Sequence, residues 1–175
     1  QLLFGLQWIA ADGAPWLFHL TNLLGHAAVT ALVFLLLAEL MSLPGALVGA
    51  LVFAVHPVHV DAVANVVGMG EVVSAGFFLA ACVVHVRGPP ETSWRRAAVI
   101  ALLYAIAFGA KEGAVTLPGI VFLLDAARED VAVRDLRRYL AKRWKVYVAL
   151  GVVVALMLVA RQEILGTLAE PLGPL

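Results

Sequence analysis

Between Leu17 and Leu40 the chain reads LFHLTNLLGHAAVTALVFLLLAEL, an apolar run whose one charged residue, Glu39, stands near its end. An α-helix needs about 20 such residues to cross a bilayer, so this run predicts a membrane span. The whole chain agrees, with 63% hydrophobic residues, 14% charged residues and a mean hydropathy of +0.97. In soluble proteins, roughly a quarter of the residues are charged. The sequence therefore predicts an integral membrane protein.

Five shorter apolar runs follow the first one along the chain. They are Leu43–Val55, Val72–Val86, Arg96–Ala110, Ala114–Ala127 and Lys145–Ala160. Runs of this length cross a membrane when the bilayer thins locally, when flanking turns extend them, or when they pack inside a bundle. We therefore predict an all-α, polytopic transmembrane helix bundle of about six membrane segments, five of them within residues 17–127.

The basic residues predict the orientation of this bundle. If the segments cross alternately, the loops at 87–96 and 125–146 share one side and hold all of the 12 Lys and Arg residues except Lys111 and Arg161. Loops rich in Lys and Arg stay on the cytoplasmic side. We therefore expect these loops in the cytoplasm and the other connections on the periplasmic or luminal face.

The sequence also predicts structures for the regions before and after the first five segments. The first residues include apolar Leu2, Leu3, Leu6 and Ile9, with Trp8 and Trp16 as interfacial anchors, a pattern typical of an amphipathic helix in the membrane interface. We predict an outer interfacial helix over 1–16, a cytoplasmic basic segment over 128–144, the sixth membrane segment over 145–160 and an outer tail over 161–175. We also expect the chain to be a fragment of a longer protein.

Several classes of function lack support in this sequence. The formal net charge is zero, so charge gives no indication of a nucleic-acid partner. The chain has one cysteine, Cys82, which we interpret as a core residue, as we do His85. Glycine-rich phosphate loops, dinucleotide fingerprints and nucleophile elbows do not occur in it.

Three polar residues lie at the start of the first span. His19, Asn22 and His26 are spaced i, i+3 and i+7, which places them on one helix face. They can bind the polar head of a ligand. Alternatively, they can hydrogen-bond to neighbouring helices, as Asn and His commonly do in membrane bundles.

A polar insert, HPVHVDAVANVVGMGE at residues 56–71, separates two apolar runs. Proline restricts the residue before it, so His56-Pro57 ends a helix and begins a short one that carries Asp61 and Asn65 on one side. The insert can contact a ligand or substrate, or it can serve structural hydrogen bonding. A divalent metal on His56, His59 and Asp61 is the least favoured reading, and we predict no metal.

A third polar group, Lys111-Glu112, follows the fourth apolar run and stands between Gly109 and Gly113. The ammonium of Lys111 can pair with a phosphate while Glu112 orients it. The alternative is a lysine that extends from a helix end to the membrane surface. The predicted topology puts this pair on the same outer face as the two preceding groups.

Several strings occur together in a recognisable order: FHLTNLLGH at 18–26, HPVHVDAVA at 56–64, GMGEVVSA at 68–75, AKEG at 110–113, and Asp125. In combination they resemble the membrane region of the transmembrane and tetratricopeptide-repeat (TMTC) proteins and of their bacterial relatives. The resemblance covers most of residues 1–127. It implies a fold similar to GT-C-type glycosyltransferases, akin to the protein O-mannosyltransferases.

The resemblance also implies an activity. Such a protein would transfer a mannose-like sugar from a polyprenyl- or dolichyl-phosphate donor to a Ser or Thr of an acceptor protein, in the bacterial inner membrane or the ER membrane, with no cofactor beyond the donor. The catalytic acidic residue is expected upstream of Gln1, and tetratricopeptide repeats downstream. Asp61 and Glu71 are weak catalytic candidates. The substrate-binding candidates are His19, Asn22, His26, His56, His59, Asp61, Glu71, Lys111 and Glu112.

One residue departs from the family pattern. Where the family usually has Arg, this chain has Met69, so a cation expected near the donor phosphate is missing. An alternative function therefore stays open: a non-catalytic membrane anchor or scaffold for a tetratricopeptide-repeat protein. Transport of a small solute is less favoured, because the polar residues gather at one face instead of following a path through the bilayer.

Overall fold

The computed structural model describes residue 5, residues 7–9, residue 12 and residues 14–89, 91–129 and 136–165. The regular structure of these residues is helical. We number the α-helices in chain order as α1 (Trp16–Leu37), α2 (Leu43–Val55), α3 (Val60–Ala64), α4 (Met69–Val86), α5 (Trp94–Ala110), α6 (Leu117–Glu129) and α7 (Leu136–Leu165). Short 3-10 helices occupy Pro57–His59, Val66–Gly68 and Glu112–Thr116. The all-α prediction is confirmed for this part of the chain.

The helix bounds follow the predicted apolar runs closely, except at the end of the chain. Helix α2 has the predicted bounds, and α7 differs most. It runs without a break from Leu136, inside the predicted basic segment, to Leu165. The chain has no proline between these residues, so nothing ends the helix where the charged part gives way to the apolar part. The predicted interfacial helix over 1–16 and the tail over 161–175 lie largely outside the described residues and stay predictions.

Among the described residues, three helical stretches are long and apolar enough to cross a membrane: Trp16–Leu37, Val66–Val86 and Leu140–Glu163. A fourth is obtained if Leu43–Val55 and Pro57–Ala64, which meet at a 48° bend, are taken together as one span. Helices α5 and α6 are shorter, with 17 and 13 residues. The structure therefore supports a membrane protein with three or four such spans, and the predicted number of six is not confirmed.

Helix α5 lies at the centre of the bundle, although it is not one of the three long spans. It packs against both α4 and α7, and α4 also packs against α1. Ala97, Ile100, Tyr104 and Ala107 have no exposed surface and recur every three or four residues, which is the spacing of one helix face. Such a face buries itself against neighbouring helices, so α5 holds the other helices in place.

A buried polar cluster joins three helices at the end of α4 that is remote from the polar insert. His85 Nε2 on α4 lies 2.6 Å from Asp125 Oδ1 on α6. From α7, Arg143 Nη1 donates to Asp125 Oδ1 at 3.0 Å and the Tyr147 hydroxyl donates to Asp125 Oδ2 at 2.8 Å. The side chains of His85 and Asp125 are 1% and 4% exposed. Since hydrocarbon offers no alternative partners, this cluster fixes α4, α6 and α7 together.

We expect Asp125→Asn to destabilise the protein by about 3 kcal/mol, because it takes the charge from a carboxylate that faces a buried arginine. Thermal unfolding of the full-length protein in detergent micelles measures the effect. The matched control is Glu39→Gln, which removes a carboxylate from a more exposed ion pair with Arg87, at 2.9 Å. Pairs of that kind contribute less than about 1 kcal/mol. Equal effects of the two substitutions would contradict the role given to Asp125.

A close approach of two backbones fixes the start of α4. Gly68 lies so near the Ala62 carbonyl group that a Cβ atom at Gly68 would collide with it. The atoms that the added Cβ would meet are all backbone atoms of Ala62, which cannot turn aside as a flexible side chain can. The absence of a side chain at Gly68 therefore lets α3 and α4 lie next to each other.

We expect Gly68→Ala to cost about 1–3 kcal/mol of stability, because the added methyl group forces α3 and α4 apart. The matched control is Gly119→Ala in α6, where an added Cβ meets nothing within 4 Å. Alanine favours helices over glycine, so the control is expected to be neutral or slightly stabilising. Unfolding midpoints of both variants in the same detergent give the comparison, and a Gly68→Ala variant as stable as the control would contradict the argument.

Candidate functional site

The polar insert begins where α2 ends. His56 leaves the helix with φ −67° and ψ 128°, as expected for a residue before proline. Its Nδ1 atom accepts a hydrogen bond from the backbone N–H of Val58 at 3.2 Å, which opens the next helical turn. The predicted helix end at His56-Pro57 is therefore confirmed.

The short helix that follows ends earlier than the sequence suggested. Helix α3 stops at Ala64, and Asn65 is extended, with ψ 130°. Asn65 Oδ1 accepts a hydrogen bond from Val67 N–H at 3.1 Å and so caps the next turn. The prediction that Asp61 and Asn65 share one side of a helix is wrong, because a side-chain cap at Asn65 competes with continuation of the helix.

The first span holds this insert in place through two side chains. Asn22 is 1% exposed, and its Nδ2 atom donates to the carbonyl oxygen of Asn65 at 2.9 Å. His26 Nε2 lies 3.1 Å from the carbonyl oxygen of Ala54, at the end of α2. His19 is exposed. We considered ligand binding and interhelical hydrogen bonding for these residues, and the contacts of Asn22 are those of interhelical hydrogen bonding.

Three histidines and one phenylalanine form an aromatic cluster between α1 and the insert. The Phe53 ring centroid lies 4.2 Å from that of His59 and 5.6 Å from that of His26. The His59 ring also lies 5.2 Å from His26 and 6.1 Å from His56. Partial burial, followed by the proximity of His26 and His56, lowers the pKa of His59. His59 is therefore a neutral ring at pH 7, with one hydrogen-bond donor and one acceptor.

This cluster borders a cavity of about 400 Å³, which we call the histidine cavity. His26, His59, Asp61 and Glu71 give it a polar part. The rest of its lining is mainly apolar and comes from Val29, Phe53, Val58, Ala62, Val72 and Ala75. A mostly apolar pocket with a few convergent polar groups is typical of a small-molecule site.

A second cavity of about 250 Å³, which we call the lysine cavity, adjoins the first. Glu71 and Ala75 line both cavities. Lys111 stands on the far side of Glu71, and its Nζ atom lies 2.5 Å from Glu71 Oε1. Nearby, the buried hydroxyl of Ser74 donates to the carbonyl oxygen of Ala107 at 2.9 Å and ties α4 to α5. Glu71 and Ala75 therefore form the wall that the two neighbouring cavities share, and Lys111 lies on the side of the lysine cavity.

The pair is accessible to water, and Lys111 stays charged. The side chains of Lys111 and Glu71 are 53% and 49% exposed. The hydrogen bond to Glu71, and then the charge of the same carboxylate, raise the pKa of Lys111 above its ordinary value. A permanent ammonium next to a cavity is a suitable partner for an anionic group such as a phosphate.

Not every predicted site residue joins this region. Glu112 Oε1 lies 3.4 Å from Arg161 Nη1, and both residues line a separate, smaller cavity. Neither His19 nor Asn22 lines the histidine or the lysine cavity. Sequence reasoning missed Phe53 and Ser74, since an apolar run and a helix interior gave no local signal for them. Within the described residues, no three His, Cys, Asp or Glu side chains are grouped so as to hold a metal ion.

Met69 faces away from both cavities. It is 7% exposed and lines an apolar cavity of about 460 Å³ between α1 and α4, together with Asn22 and Gly25. The side chain at the position of the expected cation therefore points towards the first span and not towards Lys111.

The chain is similar in sequence to several proteins that carry the name protein O-mannosyl-transferase. It is 34% identical to TMTC3 of Homo sapiens over 122 residues, which are 68% of this chain and 13% of that protein. It is 34% identical to Tmtc1 of Drosophila melanogaster over 116 residues, 66% of this chain and 14% of the relative. The identity to Tmtc2 of the same fly is 33% over 136 residues, 73% of this chain and 14% of the relative.

The matched part of this chain thus spans about one seventh of the length of these relatives. No family model and no solved structure matches the chain. The resemblance in the sequence strings and the similarity to several curated relatives agree with each other. The chain belongs to the transmembrane and tetratricopeptide-repeat (TMTC) family.

Proposed function

We propose that this chain is part of a membrane glycosyltransferase that moves a mannose-like sugar from a polyprenyl- or dolichyl-phosphate donor to a Ser or Thr of an acceptor protein. The observation that carries the proposal is the pair of adjoining cavities with Lys111 beside Glu71. The names of the relatives give the reaction class. The reaction takes no cofactor beyond the lipid-linked donor, because the donor brings its own leaving group.

We assign the donor phosphate to the lysine cavity because of the positive charge there. Lys111 is the cation that lines this cavity, and it is exposed enough to meet a ligand. The histidine cavity next to it offers the ring nitrogens of His26 and His59 as hydrogen-bonding groups, which suit the hydroxyl groups of a sugar. Because Glu71 lines both cavities, the phosphate and the sugar of one donor molecule can lie next to each other in them.

The same end of the bundle is proposed to be the outer, periplasmic or luminal face. The Glu112–Arg161 pair brings the two basic residues of the predicted outer face to the end where the polar insert lies. This grouping supports the orientation expected from the basic loops. A donor phosphate at Lys111 would then lie at the membrane surface, where a lipid head group belongs.

Transfer with inversion needs a carboxylate that takes the proton of the acceptor hydroxyl while its oxygen attacks the sugar carbon and the phosphate leaves. Asp61 and Glu71 lie at the histidine cavity, and we assign them roles in orienting the sugar. The catalytic base is assigned to a part of the protein other than this chain.

A second candidate is a non-catalytic membrane anchor that keeps the family fold. Met69 favours it, because this chain lacks the arginine that the family usually has at that position. The two candidates differ in a simple way, since only the enzyme transfers sugar from a lipid-linked donor.

We expect Lys111→Gln in the full-length protein to lower kcat/KM for the donor by at least about tenfold, because it removes a charged partner of the phosphate. The measurement is transfer of labelled mannose from the polyprenyl-phosphate donor to an acceptor peptide. Lys111→Arg keeps the charge and is expected to retain more activity. The control is Arg87→Gln, a loss of charge from the ion pair with Glu39. Unchanged turnover in Lys111→Gln would contradict the assignment.

A further inference from the structure

The Glu71–Lys111 ion pair occupies the place that an anionic ligand needs. In the part of the chain that the structure describes, Glu71 is the carboxylate within ion-pair distance of Lys111. A phosphate and a carboxylate cannot both approach one ammonium closely without repelling each other, since like charges at about 4 Å repel even near a protein surface. A phosphate that binds Lys111 therefore competes with Glu71 for the ammonium.

The pair has the features of an exchangeable contact. Both side chains are about half exposed, so water replaces the partners when they separate. Exposed pairs of this kind are weak. The buried pair of Arg143 and Asp125 differs, with side chains that are 7% and 4% exposed, and it holds helices together. The Arg143–Asp125 pair is therefore a permanent contact at one end of the bundle, whereas the Glu71–Lys111 pair at the other end can be opened by a ligand.

We propose that Glu71 is a competitor for Lys111: it fills the anion site while the protein is free, and a lipid-linked phosphate displaces it. This inference rests on the proposed function, because it takes Lys111 as the phosphate partner. Displacement opens the wall between the lysine cavity and the histidine cavity. The released carboxylate stays at the histidine cavity, beside Asp61 and His59, where it meets the sugar.

The exchange gives the site a selectivity for phosphate-linked lipids. A neutral lipid brings no charge that replaces Glu71 on Lys111, so the wall between the cavities stays closed. Glu71 is in this sense a positioning residue, since it acts through Lys111 and through the opening of the wall.

The test measures binding of farnesyl phosphate, inorganic phosphate and farnesol to the full-length protein in lipid nanodiscs. Glu71→Gln is expected to bind farnesyl phosphate about fivefold more tightly than the wild type, because the competitor is gone. Farnesol binding is expected to stay unchanged. Inorganic phosphate is expected to tighten by a similar factor but to remain the weaker ligand. If it binds as tightly as farnesyl phosphate, a lipid-linked source is overturned.

Two further variants show that the effect acts through Lys111. The double variant Glu71→Gln/Lys111→Gln is expected to bind as weakly as Lys111→Gln alone. Glu39→Gln opens a similar ion pair at the other end of α4 and is expected to leave binding unchanged. Glu71→Ala, which also removes the carboxylate, repeats the measurement if the glutamine variant is unstable.

Steady-state kinetics of sugar transfer distinguishes a competitor role of Glu71 from a role in the chemical step. The competitor role predicts a lower donor KM in Glu71→Gln, while the lost contact between Glu71 and the sugar lowers kcat. A lower kcat with an unchanged KM would show that Glu71 acts in the chemical step and would overturn the inference. Equal or weaker binding of farnesyl phosphate to Glu71→Gln would overturn it as well. Failure of Lys111→Gln to weaken binding would instead overturn the proposed phosphate site itself.

Discussion

Hydrocarbon supplies no hydrogen-bond partners, and this constraint organises the whole bundle. Backbone polar groups in the apolar region must find their partners within the protein, and ionisable side chains there are paired with one another or with the backbone. At one end of α4, Asp125 accepts hydrogen bonds from Arg143 and Tyr147, and its carboxylate lies against His85. Near the other end, Ser74 donates to the carbonyl oxygen of Ala107. Polar contacts thus hold α4 to its neighbours at both ends, while the face of α5 fills the space between them.

The two ends satisfy this constraint in different ways. The cluster at Asp125 is closed, with little exposed surface and three helices attached. The end with the polar insert is open, with two adjoining cavities and an ion pair that is half in water. A closed cluster that opened would leave charges without solvent, whereas the open pair exchanges partners at low cost. The insert end is therefore where we propose that a ligand binds, and the closed cluster at the other end holds the helices together.

Local signals in the sequence were sufficient for much of the helical structure. The apolar run and the His56-Pro57 step define α2 because both are effects of neighbouring residues. The predicted helical position of Asn65 is wrong because its side chain caps the next turn instead, and whether such a cap forms depends on the surroundings. The partners of Asp125 were not predictable, since Arg143 stands in a basic segment that composition alone assigns to the membrane surface. The contact between Glu71 and Lys111 joins two separate motifs, and only the packing of α4 against α5 brings them together.

The geometry also changes the meaning of Met69. Residues 69 and 71 are two positions apart on α4, and side chains with this spacing point to different sides of a helix. Met69 accordingly faces α1 beside Asn22, while Glu71 faces Lys111. In this chain, position 69 therefore belongs to the contact between α1 and α4, and the charge of the lysine cavity comes from Lys111.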